Sequence, residues 1–506
     1  MRRTTSAGSG PGRSGLVLRC GVVLGLAALL LGGEVPFDSG ASALTLSYLV
    51  VGRVDGPGGV PAAEDAVRQA GGRVVHAYPQ IGTVLAYSSD AGFAGLARSA
   101  PDVAAVGATR TAPMSDSGSD ADAAGAAVPA AAARVPGQDA RPAQAAPESR
   151  AEDDTPPAPD PGGRAQWNLR MMGPAAGARL PALKDVVVAV LDSGVDDTHP
   201  DLRTAVDPAR SASCATGVPD PTPGAWRPDP DVGESGHGTH VSGIIAADRV
   251  GDGVAGVAPG ARIAAVRLLG SAGQYYTENM VCGFLWAADH GARVINDSYF
   301  ADPWKYNCPN DPDQAALTVA VGRAVAYAQR KGALVVASAG NDAQDLAGAR
   351  TDDRSPNDRV VGAPPLSRRL GPDCIRLPGG LPGVLDVSAV DADGSLSGYS
   401  NWGKGQVQLA GPGGDPDGGP AQAVVSDWPG GGYAALAGTS MSAAAVSGAA
   451  AVEAARHPGD TGAELAQRLE RDALPEDCPS GRVGGAGCPG AAYYGYGLVE
   501  LPLTDR

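Results

Sequence analysis

From about residue 165 the chain alternates short, near-continuous apolar runs with longer stretches of helical period. The runs cover 186–191, 261–269, 292–296, 333–338 and 384–390, each the length of one strand. Helical stretches at 277–290 and 313–332 lie between them. Strands that are apolar throughout must be covered on both faces, so the pattern predicts an α/β domain, a parallel sheet with helices on both sides. In such sheets chemistry collects just beyond the carboxyl ends of the strands.

Residues 44–112 carry a different pattern. An apolar strand at 44–51 precedes a helix at 61–71 that has proline at its start and glycine at its end. Two strands round a turn follow within 73–89, then a short helix at 91–100 and a strand at 102–110. The order βαββαβ predicts a small α+β unit of the ferredoxin-like, split-βαβ kind. Residues 113–164 are mostly Ala, Pro, Asp and Ser, with hardly a large apolar side chain to offset the entropy of ordering, and are expected to form a disordered linker.

The first 43 residues are read as a secretory signal. Arg2, Arg3, Arg13 and Arg19 precede an apolar run at 20–33, and "ASA" at 41–43 offers a cut after Ala43. The run is shorter than the ~20 residues a spanning helix needs, and no later run is long enough. The expected divisions are thus 1–43, 44–112, 113–164 and 165–506, the mature form being secreted and extracellular with no membrane span.

Charge and cysteine sharpen this picture. The net charge of −16 argues against a nucleic-acid partner. Of seven cysteines, Cys20 falls in the signal, and the six that remain in an exported chain predict three disulfides. No CxxC pair points to a metal, so no metal ligand is assigned. Cys478 and Cys488, which close a short Gly-rich loop, are the one pairing expected.

The candidate chemistry starts at "LAGTSMSAAAVSGAAA", 436–451. Such small residues make a tightly packed helix with Met441 filling a gap; they also suit a nucleophile, Ser440, on a first helical turn whose N–H groups face a reacting carbon. A serine nucleophile needs a base and a group that orients it. His76 lies in the N-terminal unit, His290 and His457 stand at helix ends and His199 in a turn, which leaves His237 and His240 of "GHGTHVSG" as bases. Asp192 follows the first apolar strand, where it is either the orienting acid or a turn residue. Asn341 closes "VVASAGN", as a turn residue or as an amide donor at the cleft rim.

Four stretches in this order, "VLDSGVDDTHPDL", "GHGTHVSG", "SAGN" and "GTSMS", resemble the subtilisin-like serine proteases, the subtilase superfamily. The resemblance runs from "QWNL" at Gln166 to "GYGLV" at Gly495. It implies Asp192 as orienter, His237 as general base and acid, Ser440 as nucleophile and Asn341 as oxyanion donor. It also implies substrate contacts at Ser298, Tyr299, Ala339 and Gly340. By the same resemblance 44–112 is the propeptide, chaperone and then inhibitor of its own protease. The chemistry uses no cofactor. Structural calcium is common in the family, and 301–314 offers Asp302, Asp311 and Asp313, but that loop is read as a solvated, disulfide-tied insertion.

Three features depart from the family pattern. Ala444 and Ala445 replace the usual Pro-His after the serine, Tyr299-Phe300 replaces Leu-Gly in the substrate strand, and the linker is long. The function implied is a secreted, monomeric, self-processing endopeptidase acting on proteins or peptides, its maturation cut placed near Ala165. The alternatives are a dedicated processing protease, lantibiotic-leader-like or mycosin-like, and an inactive wall or adhesion module on the same scaffold. No GxSxG elbow surrounds Ser440, which counts against a lipase.

Overall fold

The computed structural model describes residues 45–114, 166–173, 180–359, 366–419, 421–475 and 490–501. The expected signal, most of the linker and the Cys478–Cys488 pair lie outside them. The N-terminal unit comprises β1 (Leu46–Gly52), α1 (Val60–Gln69), β2 (Arg73–Tyr78), β3 (Thr83–Ser88), α2 (Phe93–Arg98) and β4 (Val103–Ala108). Its sheet runs β2-β3-β1-β4, with β1 antiparallel to both neighbours. Order continues two residues past the expected boundary at 112, because Met114 is buried and pairs with Thr45 in an antiparallel bridge.

A seven-stranded sheet with the order β13-β12-β9-β8-β5-β7-β6 dominates the rest. Its members are β5 (Val187–Asp192), β6 (Ala212–Ser213), β7 (Arg262–Arg267), β8 (Val294–Asp297), β9 (Leu334–Ser338), β12 (Val384–Val390) and β13 (Leu409–Pro412), and every neighbouring pair is parallel. The five apolar runs are its five inner strands. The edge strands β6 and β13 were not expected from the pattern, being too short to show a period. Two antiparallel pairs stand outside this sheet, β10 (Arg350–Asp352) with β11 (Arg368–Leu370) between β9 and β12, and β14 (Val424–Trp428) with β15 (Gly432–Leu436) after β13.

The sheet is covered by α3 (Trp167–Met171), α4 (His237–Ala246), α5 (Thr277–Asp289), α6 (Pro312–Arg330), α7 (Thr439–Arg456), α8 (Gly462–Asp472) and α9 (Ala491–Tyr494). One core cluster joins α4 and α7 to Val188 and Val190 of β5 and Val336 of β9; a second joins α5 and α6 to Val187, Ala189 and Leu191. Alternate residues of β5 thus serve opposite layers, as a doubly covered sheet requires. Sixteen of the 18 residues of α7 are buried. Its alanines allow that helix to lie close on the strands, so the small-residue run does serve packing.

The second core is shared with the N-terminal unit, since Leu49, Val51, Tyr78, Ile81, Leu85 and Met114 pack among the residues of α5 and α6. Polar contacts fix the register of this docking. Tyr78 donates to the Gly217 carbonyl (2.7 Å), and Arg323 donates to the carbonyls of Gly52 (2.9 Å) and Ile81 (3.0 Å). Deepest is the Arg110–Glu278 ion pair at 3.2 Å, with side chains only 4% and 1% exposed and the guanidinium 3.9 Å from the Tyr276 ring centre.

Two disulfides are formed among the described residues, Cys214–Cys282 and Cys308–Cys374. The second does tie the 301–314 insertion, of which 309–313 is solvated as expected while 301–308 is largely buried. Tyr306, Cys308, Leu346, Leu370 and Cys374 make a satellite core of their own, and Lys305 is buried against Asp342. Nor do its carboxylates converge on a cation. Asp302 accepts from Tyr275 N (2.6 Å), Asp311 caps α6 by accepting from Asp313 N and Gln314 N, and Asp313 pairs with Arg98 of the N-terminal unit. Calcium does not fit this set, because it needs six to eight oxygens around one point.

Candidate active site

Asp192 is the last residue of β5 and is fully buried. Its Oδ1 accepts from the N–H of Ser193 (2.7 Å), which turns the carboxylate toward α4. There His237, the first residue of the helix, places Nδ1 3.0 Å from Oδ1 and 3.1 Å from Oδ2. The position of the helix is set by the Ser193 hydroxyl, which accepts from Gly238 N (2.9 Å) and donates to the Ser235 carbonyl (2.7 Å). Gly238 cannot carry a side chain here, since a Cβ would run into the Gly194 carbonyl and stand 2.9 Å from Asp192 Oδ1.

Electrostatics separate the two histidines that the sequence left as candidates. Burial would lower His237, but the adjacent Asp192 carboxylate more than reverses this and holds the imidazole above its ordinary value. His240 has no such partner. Burial, with the charge of His237, pushes it down to about 3, and its Nε2 bonds to the carbonyls of Val424 and Ala434 (3.1 Å each) in the β14–β15 hairpin. It is a neutral brace and not a base. His199 is likewise fully buried, and the ring of His290 bonds the carbonyl of Trp286 at the end of α5.

Ser440 is the second residue of α7, on the turn whose N–H groups have no helical acceptor. Its hydroxyl donates to the Ser298 carbonyl (3.2 Å), which also receives Ser338 Oγ (3.0 Å). Asn341 lies beside it, with Oδ1 accepting from both Thr439 N (3.0 Å) and Thr439 Oγ1 (2.8 Å). With the oxygen so held, the –NH2 end of the amide lies beside Gly438, where a Cβ would come within 3.4 Å of Nδ2.

Ser440 and Asn341 line one cleft with Ser298, Tyr299, Phe300 and Tyr275, a space of roughly 500 Å³ that opens to solvent. The Tyr299 ring lies 4.8 Å from the His237 ring and stacks on Tyr275 at 3.7 Å, so the imidazole packs against a wall of the cleft that Ser440 lines. Of the other expected contacts, Ser298 and Tyr299 face this cleft. Ala339 and Gly340 lie behind it: Ala339 N donates to Val387 O (3.0 Å), and Gly340 N donates to Thr439 Oγ1 (3.1 Å). Gly340 has φ +100°, and a Cβ there would crowd Asn401 and Arg376, so no other residue suits it.

Several participants escaped the sequence reading. Ser338 opens the "SAGN" stretch without a role in the resemblance, and Tyr275 has no motif around it. Asp297, at the end of β8, is pushed up to about 8 by burial and sits behind Tyr299, whose N–H it accepts. Arg376 lines the cleft and lies over the Phe300 ring, 4.9 Å from its centre.

Residues 183–497 match the model of the subtilase family, Peptidase_S8. The chain belongs to the subtilase family. Like other subtilases it is a serine endopeptidase, a class whose chemistry uses no cofactor. It is 30% identical to Subtilisin Savinase of Lederbergia lenta over 341 residues, which is 67% of this chain and 98% of that one. Among solved structures, the epidermin leader peptide processing serine protease of Staphylococcus aureus superposes with a TM-score of 0.64 over 91% of this chain and 99% of its own, at 20% identity. A lanthipeptide protease covers 69% of this chain and 97% of its own, with 25% identity and a TM-score of 0.50. No helix among the described residues is long and apolar enough to cross a membrane.

Proposed function

We propose that this subtilase is made as a secreted, self-processing precursor, and that Ser440, His237 and Asp192 carry its chemistry. The observation that supports this most is the Asp192–His237 pair packed against Tyr299, which walls the cleft that Ser440 lines at a helix start. In the reaction, Ser440 attacks a peptide carbonyl while His237 Nε2 takes its proton; the imidazolium then protonates the leaving amine, and water releases the acyl group by the reverse path. Asp192 stays ionised and keeps the Nδ1 proton in place. The Asn341 amide and the first N–H groups of α7 hold the oxyanion. A fluorophosphonate probe is expected to label Ser440 in the processed protein and to leave a His237→Ala variant unlabelled. Labelling unchanged by that variant refutes the assignment.

The oxyanion role makes a second prediction. Asn341→Ala is expected to lower kcat by about 10²–10³-fold with KM little changed, because the amide meets charge only in the transition state. Steady-state kinetics on a chromogenic peptide would decide it.

Residues 45–114 act in this reading as propeptide, seated on α5 and α6 and released after cleavage beyond Met114. Arg110→Ala would strand Glu278 as a buried, uncompensated charge, at a cost of about 3–5 kcal/mol. The fragment 45–114 carrying that change, added in trans, is therefore expected to inhibit the protease at least ~100-fold more weakly. Equal inhibition constants would remove the ion pair from the docking account.

A narrower role, processing of one precursor peptide, is the second reading. It is favoured by the aromatic wall of Tyr275, Tyr299 and Phe300 along the cleft, and by the likeness to a lanthipeptide protease. Broad digestion of casein would count against it, and cleavage confined to one sequence in a peptide panel would support it.

A further inference from the structure

Outside the catalytic cleft, the turn after β5 meets the β14–β15 hairpin at three fully buried side chains, His199, Asp201 and Asp427. One donor atom from each lies within 4.8 Å of the other two, and His199 Nδ1 stands 3.6 Å from Asp427 Oδ1. None of the three lines the cleft that holds Ser440.

Two of them are held from behind. His199 Nε2 bonds the Gly432 carbonyl (2.9 Å), which puts the ring proton there and leaves Nδ1 as an acceptor, now receiving Asp201 N at 3.2 Å. Asp201 accepts from Val250 N (2.6 Å), Val254 N (3.1 Å) and the Tyr433 hydroxyl (3.0 Å). Asp427 differs. Neither of its oxygens has a hydrogen-bond partner, and among the described residues it is the one carboxyl group stranded at both. A buried polar group in that condition is costly, and a second carboxylate at close range makes it more so.

We propose that His199, Asp201 and Asp427 form a structural site for a divalent cation of the zinc class. A cation is what the stranded Asp427 carboxylate lacks, and an imidazole nitrogen and a second carboxylate stand next to it. It would neutralise both acids and take up the two stranded oxygens. The imidazole and the small number of donors favour zinc or manganese over calcium, which asks for six to eight oxygens. The second layer is of the kind that metal-binding side chains need, with the spare ring N–H on a main-chain carbonyl and the second carboxylate on main-chain N–H groups. The ion would clamp the backbone just after Asp192 to the hairpin that runs into Gly438-Thr439-Ser440.

The test uses the purified full chain with its serine blocked by a fluorophosphonate. After dialysis against a chelator, Zn²⁺ alone is added, excess is removed by gel filtration, and retained metal and the thermal midpoint are measured; Mn²⁺ and Ca²⁺ follow separately. Stoichiometric zinc and a raised midpoint are expected in the wild type, with both lost in Asp427→Asn. Asparagine keeps the size and removes the charge that would bind the ion, so the loss reports a ligand and not packing. His199→Gln gives an independent check should that variant fold poorly, and His237→Ala should retain the zinc, which excludes capture by the catalytic imidazole. Zinc retained equally by Asp427→Asn and His199→Gln overturns the site. So does a wild type that retains none of the three metals with its midpoint unmoved, in which case the two acids share a proton. Calcium held in preference to zinc overturns the class assigned.

Discussion

Replacing Ser440 by alanine is expected to reduce kcat/KM by on the order of 10⁶-fold, the scale on which a subtilisin triad acts, and to leave the chain as unprocessed precursor. The fold should be untouched. The hydroxyl makes a single hydrogen bond, to a Ser298 carbonyl that keeps Ser338 as donor, so its removal orphans no buried group. Mass spectrometry of the purified product reads the N-terminus directly. A variant that trims itself normally would show that another protease performs the maturation.

The next largest effect is expected at Asp192. Asp192→Asn presents an N–H to His237 Nδ1 where the imidazole itself must donate, which forces the wrong tautomer and should cost about 10⁴-fold in kcat. The pH profile should move as well. His237 acts as a base only when deprotonated, so the rate of the wild type climbs as pH rises through its raised pKa, above the ordinary value near 6.5. Without the carboxylate, burial outweighs the smaller opposing effect of Glu234 and lowers that pKa, so the acid limb of the residual activity shifts toward lower pH. A limb that stays in place would mean that Asp192 does not set the charge of His237.

Much of this was legible in the chain because it is written locally. Apolar runs that end in a chemical residue, such as β5 ending in Asp192, announce both a buried strand and a site. A histidine between two glycines marks a close approach. What failed was tertiary. Glu278 looks like any acid in the first turn of a helix until the N-terminal unit brings Arg110 to it. The 301–314 insertion looks hydrophilic because its aspartates are counted, yet each has its partner inside the protein, its Trp304 packs on the second core and its Tyr306 helps to build a satellite core. Disulfide partners lie 68 and 66 residues apart, and no local pattern specifies such pairings. The β14–β15 hairpin escaped notice because its turn residues, Pro and three glycines, hide two five-residue strands.

The burial of α7 along nearly its whole length also bears on how this enzyme changes over generations. A saturation library scored for survival of activity should find positions 443–452 almost intolerant, since any added methylene there presses on strands or on α4. The aromatic lip at Tyr299 and Phe300 should admit many replacements that retune cleavage preference. Novelty in this lineage would then arise at the rim, while the post that bears the nucleophile stays frozen.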